Sequence, residues 1–93
     1  LQAVERDFAF IVDNKVEASD LVIAATGADK KLIQDVRVFD EFVGKEFGNE
    51  KKSIALTVRL QPAEKTLTDA EIEDLSKKVI EKVENATGGV LRT

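Results

Sequence analysis

Lys52-Ser53-Ile54-Ala55-Leu56-Thr57-Val58-Arg59-Leu60 alternates along its whole length. In an extended chain Ile54, Leu56, Val58 and Leu60 fall on one side, and Ser53, Ala55, Thr57 and Arg59 on the other. One side is greasy and the other small or polar, the pattern of a sheet covered on one face only.

Working outward, residues 4–12 repeat the pattern, with Phe8, Phe10 and Val12 set against Asp7, Ala9 and Ile11. Asp13-Asn14-Lys15 makes a turn. Residues 19–31 read as a helix capped by Ser19 or Asp20, with Leu21, Ala24, Ala25, Ala28 and Leu32 on one stripe and Gly27 inside it. Residues 35–43 form another strand whose alternation breaks. Val36 and Val38 share a face, but bulky Phe39 and charged Asp40 follow. A bulge near Phe39 resets the parity and sends Asp40 and Phe42 to the polar side. Residues 44–51 are a polar connection containing Gly44 and Gly48.

Downstream of the opening stretch, Pro62 stops the strand. Thr68-Asp69-Ala70-Glu71 is a capping box, with threonine at the cap and glutamate three residues later. The helix it starts runs to about Thr87, with Ile72, Leu75, Val79, Val83 and Ala86 as its apolar stripe and Ile80 beside it. Gly88-Gly89 ends it, and Val90-Leu91-Arg92 is a short last strand. The order strand, helix, strand, strand, helix, strand, with right-handed crossovers, predicts an α+β fold: a ferredoxin-like βαββαβ sandwich, a four-stranded antiparallel sheet with both helices on one face. The other face is left open.

The chain has 93 residues, one domain's worth, so residues 1–93 are read as a single domain. It has neither cysteine nor histidine, which excludes disulfides and zinc sites built on sulfur or imidazole. No apolar run approaches the ~20 residues that span a membrane. The lack of methionine points to a piece of a longer chain. The net charge of −4 argues mildly against nucleic acid as a partner. No catalytic constellation and no phosphate-cradling glycine loop is present. Asp69, Glu71, Glu73 and Asp74 fan around the start of the second helix as a favourable charge cluster, without converging on a metal.

The open face is then expected to carry Asp7, Ala9, Ile11, Ser53, Ala55, Thr57 and Arg59, joined through the bulge by Asp40 and Phe42 and from the last strand by Arg92. An aromatic ring, a carboxylate, a hydroxyl and an arginine on an open sheet suit single-stranded RNA, whose bases stack on rings and are read at their Watson–Crick edges.

Ala3-Val4-Glu5-Arg6-Asp7 with Phe8 and Phe10, Val38-Phe39-Asp40 with Phe42 and Gly44, Lys52-Ser53-Ile54-Ala55-Leu56, Thr66-Leu67-Thr68-Asp69 with Glu71, and Leu91-Arg92 follow one another along the chain. In these strings the sequence resembles the FDX-ACB family, the ferredoxin-fold anticodon-binding domain that closes the beta subunit of bacterial phenylalanyl-tRNA synthetases. The family usually has Phe-Pro before the Ala-Val pair, where this chain has Leu1-Gln2, and tyrosine where it has Phe42. Phenylalanine keeps the stacking surface and lacks the hydroxyl. The resemblance implies a cytoplasmic α2β2 heterotetramer that charges phenylalanine tRNA using ATP and magnesium, with catalysis in the alpha subunit and neither cofactor held by this piece. It implies that this piece reads an anticodon whose first base is guanine, and transfers the contacts to Ala9, Asp40, Phe42, Ser53 and Arg92. It also implies a non-catalytic fragment, which we expect to be monomeric.

Two other readings compete. A ferredoxin-like small-molecule-sensing or protein-interaction domain has the same element order, but usually places glycine at a strand-to-helix turn, where this chain has Asp13-Asn14-Lys15-Val16. A general RNA-recognition motif carries aromatic residues on a central strand, where this chain has Ser53, Ala55 and Thr57.

Overall fold

Two ten-residue strands, β1 (Val4–Asp13) and β3 (Lys51–Leu60), pair antiparallel from Val4↔Leu60 to Asp13↔Lys51. A computed structural model of the chain describes residues 2–44, 48, 50–62 and 64–92. Of the polar connection expected over 44–51, residues 45–47 and 49 lie outside them. Strand β2 (Ile33–Phe42) pairs antiparallel with the free side of β3, and the two-residue β4 (Val90–Leu91) with the free side of β1. The sheet order is β2-β3-β1-β4. Helix α1 (Ala18–Thr26) joins β1 to β2, and helix α2 (Asp69–Thr87) joins β3 to β4. Each helix thus links two strands separated by a third, which is the ferredoxin-like arrangement.

Alternation decides where the core sits. Phe8, Phe10 and Val12 of β1 and Ile54, Leu56, Val58 and Leu60 of β3 are buried together with Leu21 and Ala25 of α1 and Ile72, Leu75, Val79 and Val83 of α2. Each fully buried large side chain contributes about 1.5–3 kcal/mol. Strand β2 adds only Ile33 and Val36 to this layer, because its last six residues are all exposed. The two rings of β1 are stacked, with centroids 6.4 Å apart.

Three expectations are corrected. Helix α1 ends at Thr26, with Gly27 as its cap, and does not continue to Lys31. Asp29 explains the stop. Its carboxylate accepts the backbone N–H groups of Lys31 (2.9 Å) and Leu32 (3.0 Å), so it holds a turn in place of further helix. The cap at the other end is Glu17, not Ser19 or Asp20; Asp20 instead accepts the Glu17 backbone N–H at 3.2 Å from the third helical position. In α2 the apolar stripe ends at Val83, and Ala86 is exposed.

The box at the start of α2 forms as read. Thr68 donates its backbone N–H to Glu71 Oε1 at 3.0 Å, and its hydroxyl oxygen accepts the Glu71 N–H at 3.1 Å. The Thr68 backbone N–H, and after it the Thr68 side chain, hold the Glu71 carboxyl below its ordinary value. A folded value below the unfolded one means that this support is present at neutral pH and is lost as the pH falls through the folded value.

At the far end, Gly88 takes a left-handed φ of 73° and donates its N–H to the Glu84 carbonyl, at 2.8 Å. Gly89 is needed for a different reason. A Cβ there would stand 2.7 Å from Val12 Cγ1, 3.0 Å from Thr87 Oγ1 and 3.2 Å from the Ile11 carbonyl oxygen. Val12 is packed in the core and the carbonyl belongs to a central strand, so neither has room to yield. Gly89→Ala is expected to lower stability by about 1–3 kcal/mol in urea titration. Gly27→Ala is the control, since an added Cβ there meets only ordinary contacts at 3.5 and 3.6 Å. Equal stabilities of the two variants would show that β4 can move away.

Candidate nucleic-acid interface

Residues directly opposed in an antiparallel ladder share a face, so the register assigns every side chain to one side. Val38 is opposite Leu56, but Asp40 is opposite Ala55, leaving Phe39 as an extra residue between them. The bulge therefore lies where the broken alternation put it. It returns Asp40 and Phe42 to the face that carries Ala55 and Ser53. A second irregularity, at Gln34 between Ile33 and Asp35, was not anticipated.

The face away from the helices is built of rows that cross the sheet. One runs Phe42–Ser53–Ile11–Val90, across all four strands. The next runs Asp40–Ala55–Ala9, and Arg92 closes it by donating its backbone N–H to the Ala9 carbonyl at 2.6 Å. The third is Arg37–Thr57–Asp7 and the fourth Asp35–Arg59–Glu5. Of the expected contact residues, Ala9, Asp40 and Arg92 share one row, and Phe42 and Ser53 the adjacent one.

These rows differ in character. Ala9 and Ala55 form a floor without bulk, between Asp40 on one edge strand and Arg92 beside the other. Three strand spacings separate the two charged residues, about 14 Å, room for a flat base and its sugar. Phe42 is 46% exposed, and Val90 at 62% ends the same row. The third and fourth rows are closed on themselves. Thr57 donates its hydroxyl to Asp7 at 2.8 Å; Arg37 pairs with Asp35 at 3.1 Å and Glu5 at 3.7 Å; Arg59 pairs with Glu5 at 3.3 Å and donates Nε–H to Gln34 at 2.8 Å. Pairs this exposed add little stability. Their effect is to occupy both arginines with protein carboxylates.

Asp40 is different. Arg37, in the next row, pairs with Asp35 and Glu5, and Lys52, on the other face, pairs with Glu41 at 3.1 Å. Among the described residues Asp40 has no ion pair, and its side chain is exposed. Ser53 departs from the solvated position its polar strand face implies, since it is only 4% exposed. It is the small residue between Phe42 and Ile11 in its row, and its larger neighbours shade it. Sequence reading missed Val90 as part of this surface. Its parity with Arg92, two residues on in an extended segment, was the available signal.

Among the described residues, no group of three or more acidic side chains is placed to hold a metal ion, and no helix is long and apolar enough to cross a membrane. Two surface depressions, about 140 Å³ beside Asp13, Asn14, Lys15 and Glu50 and about 190 Å³ beside Leu32, Leu67 and Glu71, fall short of the ~300 Å³ at which small-molecule pockets begin.

The chain is 66% identical over 92 residues to the phenylalanine–tRNA ligase beta subunit of Ruegeria pomeroyi, with 99% of this chain covered. It is 62% identical over 96 residues to the corresponding subunit of Cereibacter sphaeroides, again with 99% covered, and 62% identical over 91 residues to that of Mesorhizobium japonicum, with 98% covered. It spans only 11–12% of the length of these relatives. Residues 1–92 match the family described as the ferredoxin-fold anticodon binding domain, and the chain belongs to that family.

Proposed function

We propose that this chain is the anticodon-reading domain of a phenylalanine–tRNA ligase beta subunit, and that it reads a guanine at the first anticodon position on its open sheet face. The observation that carries the reading is the pairing of an exposed ring, Phe42, with an uncommitted carboxylate, Asp40, two residues away on the same face. Residues 1–93 then act as one domain of a longer beta subunit. Its alpha-subunit partner, its ATP and magnesium, the α2β2 assembly and its cytoplasmic setting belong to that parent enzyme.

Hydrogen-bond inventory selects the base. A carboxylate only accepts. Guanine alone presents two adjacent donors on its Watson–Crick edge, the ring N–H and the exocyclic amine. Adenine and cytosine set a donor beside an acceptor, and uracil sets one donor between two acceptors. A bidentate carboxylate satisfies guanine and leaves lone pairs facing lone pairs with the others. In this pose the base stacks on Phe42 and its sugar crosses the Ala9–Ala55 floor toward Arg92, which meets a phosphate or the next base. Ser53, shaded by Phe42, holds the row's spacing, and its hydroxyl supports the carboxylate or the guanine carbonyl.

Asp40→Asn replaces one acceptor oxygen by a donor with almost no change of shape. In the whole synthetase it is expected to reduce the preference for guanine by about 1–3 kcal/mol, measured as aminoacylation of tRNAs carrying each base at that position. Equal discrimination by variant and wild type would remove Asp40 from the site. Phe42→Ala is expected to weaken tRNA use by about 1–3 kcal/mol while the melting transition of the chain stays close to that of wild type, because the ring is not part of the core. A large loss of stability with unchanged tRNA affinity would make Phe42 a packing residue and end its role as a platform.

A further inference from the structure

The segment that carries Asp40 and Phe42 is weakly anchored. Strand β2 lies at the edge of the sheet, so only β3 pairs with it. Its last six residues have no buried side chain. The ladder is interrupted at Phe39 and ends at Phe42, leaving three pairings between: Asp40↔Ala55, Glu41↔Ile54 and Phe42↔Ser53. Side chains on so short a stretch of edge ladder swing with the backbone, yet bidentate recognition tolerates only fractions of an ångström.

Glu41 stands between the two base-reading residues and points to the opposite face, where Ile54 is its direct partner. Lys52 is two residues before Ile54 and on the same face, since it is opposite the core residue Val12. Glu41 and Lys52 are thus diagonal cross-strand neighbours, within reach for long side chains. Their N···O distance is 3.1 Å, and the Lys52 side chain is only 13% exposed. A lysine stem so largely covered is already held in one place, so its pairing with Glu41 costs little further side-chain freedom.

We infer that the Glu41–Lys52 ion pair is a positioning device that fixes the Asp40–Phe42 segment on β3 from the back of the sheet and thereby sharpens base discrimination on the front. The inference rests on the reading of Asp40 and Phe42 proposed above. Neither Glu41 nor Lys52 touches RNA in this arrangement. They act through the backbone of the residues between which Glu41 sits.

The test uses this chain with Glu41→Gln, Lys52→Gln and the reversed pair Glu41→Lys/Lys52→Glu. Amide hydrogen exchange is measured at residues 40–42, with Phe10 and Leu56 of the central ladder as internal reference. Affinity is measured by titration with anticodon stem-loop RNAs carrying guanine or adenine at the first position. Each single variant is expected to speed exchange of the segment about tenfold with the central ladder unchanged, and to cut the guanine-over-adenine ratio about three- to tenfold. The reversed pair is expected to recover both. The inference is overturned if the single variants leave the segment's exchange unchanged, if they speed it while the ratio holds, or if the reversed pair restores neither. A wild-type chain without any guanine preference would count against the reading of Asp40 instead, and the exchange arm would still decide whether the pair fixes the segment.

Discussion

Phe39 is one residue too many for the ladder between β2 and β3, and the consequences of that insertion run through the whole surface. Side-chain direction in a strand has a period of two, so an extra residue inverts everything beyond it. Without the bulge, Asp40 and Phe42 would face the helix side of the sheet, away from Ala55 and Ser53. With it, both join Ala55 and Ser53 on the open face, and Val36 still reaches the core. The same strand therefore closes the fold at its start and presents polar and aromatic groups at its end. The long β1–β3 ladder makes this possible, because it supplies most of the buried strand residues and leaves β2 little packing to provide.

The distribution of charge bears on how a chain with a net charge of −4 could meet the RNA partner proposed here. Half of the open face is bonded within itself: Glu5, Asp35, Arg37 and Arg59 pair with one another, Asp7 accepts from Thr57, and Arg59 also donates to Gln34. The other half offers one carboxylate, one ring, an alanine floor and an arginine. A surface of that kind selects a base more than it attracts a backbone, since phosphate contacts supply affinity and base contacts supply specificity. In the function proposed here, the grip on the tRNA as a whole comes from other parts of the longer enzyme, and this piece adds the reading of a base.

Much of this was legible in the amino-acid sequence, and its limits are physical. The alternation of β1 and β3 and the stripe of α2 carry unmistakable periods, and Thr68 with Glu71 marks the start of α2. The bulge was legible because charged Asp40 falls at the same parity as the apolar Val36 and Val38, while bulky Phe39 falls out of phase with them. The end of α1 was not, because Ala24, Ala28 and Leu32 keep helical spacing while the Asp29 carboxylate takes the N–H groups of the next turn. The burial of Ser53 was hidden for another reason: its neighbours in space, Phe42 and Ile11, are set by pairing between strands distant in sequence. The Glu41–Lys52 contact is likewise a product of register, since it is diagonal and exists only after the bulge has shifted the pairing.

The central claim, that the open face formed by the first two rows receives the RNA, is tested most directly by mapping the contact on the chain itself. Backbone amide resonances are followed while an anticodon stem-loop with guanine in first position is titrated in. The account predicts shifts at Ala9, Ile11, Asp40, Phe42, Val90 and Arg92, with little change at Arg37, Arg59 and Glu5 or along α2. Shifts concentrated on α2, or beside the Asp13-Asn14-Lys15 turn, with the open face silent, would contradict it.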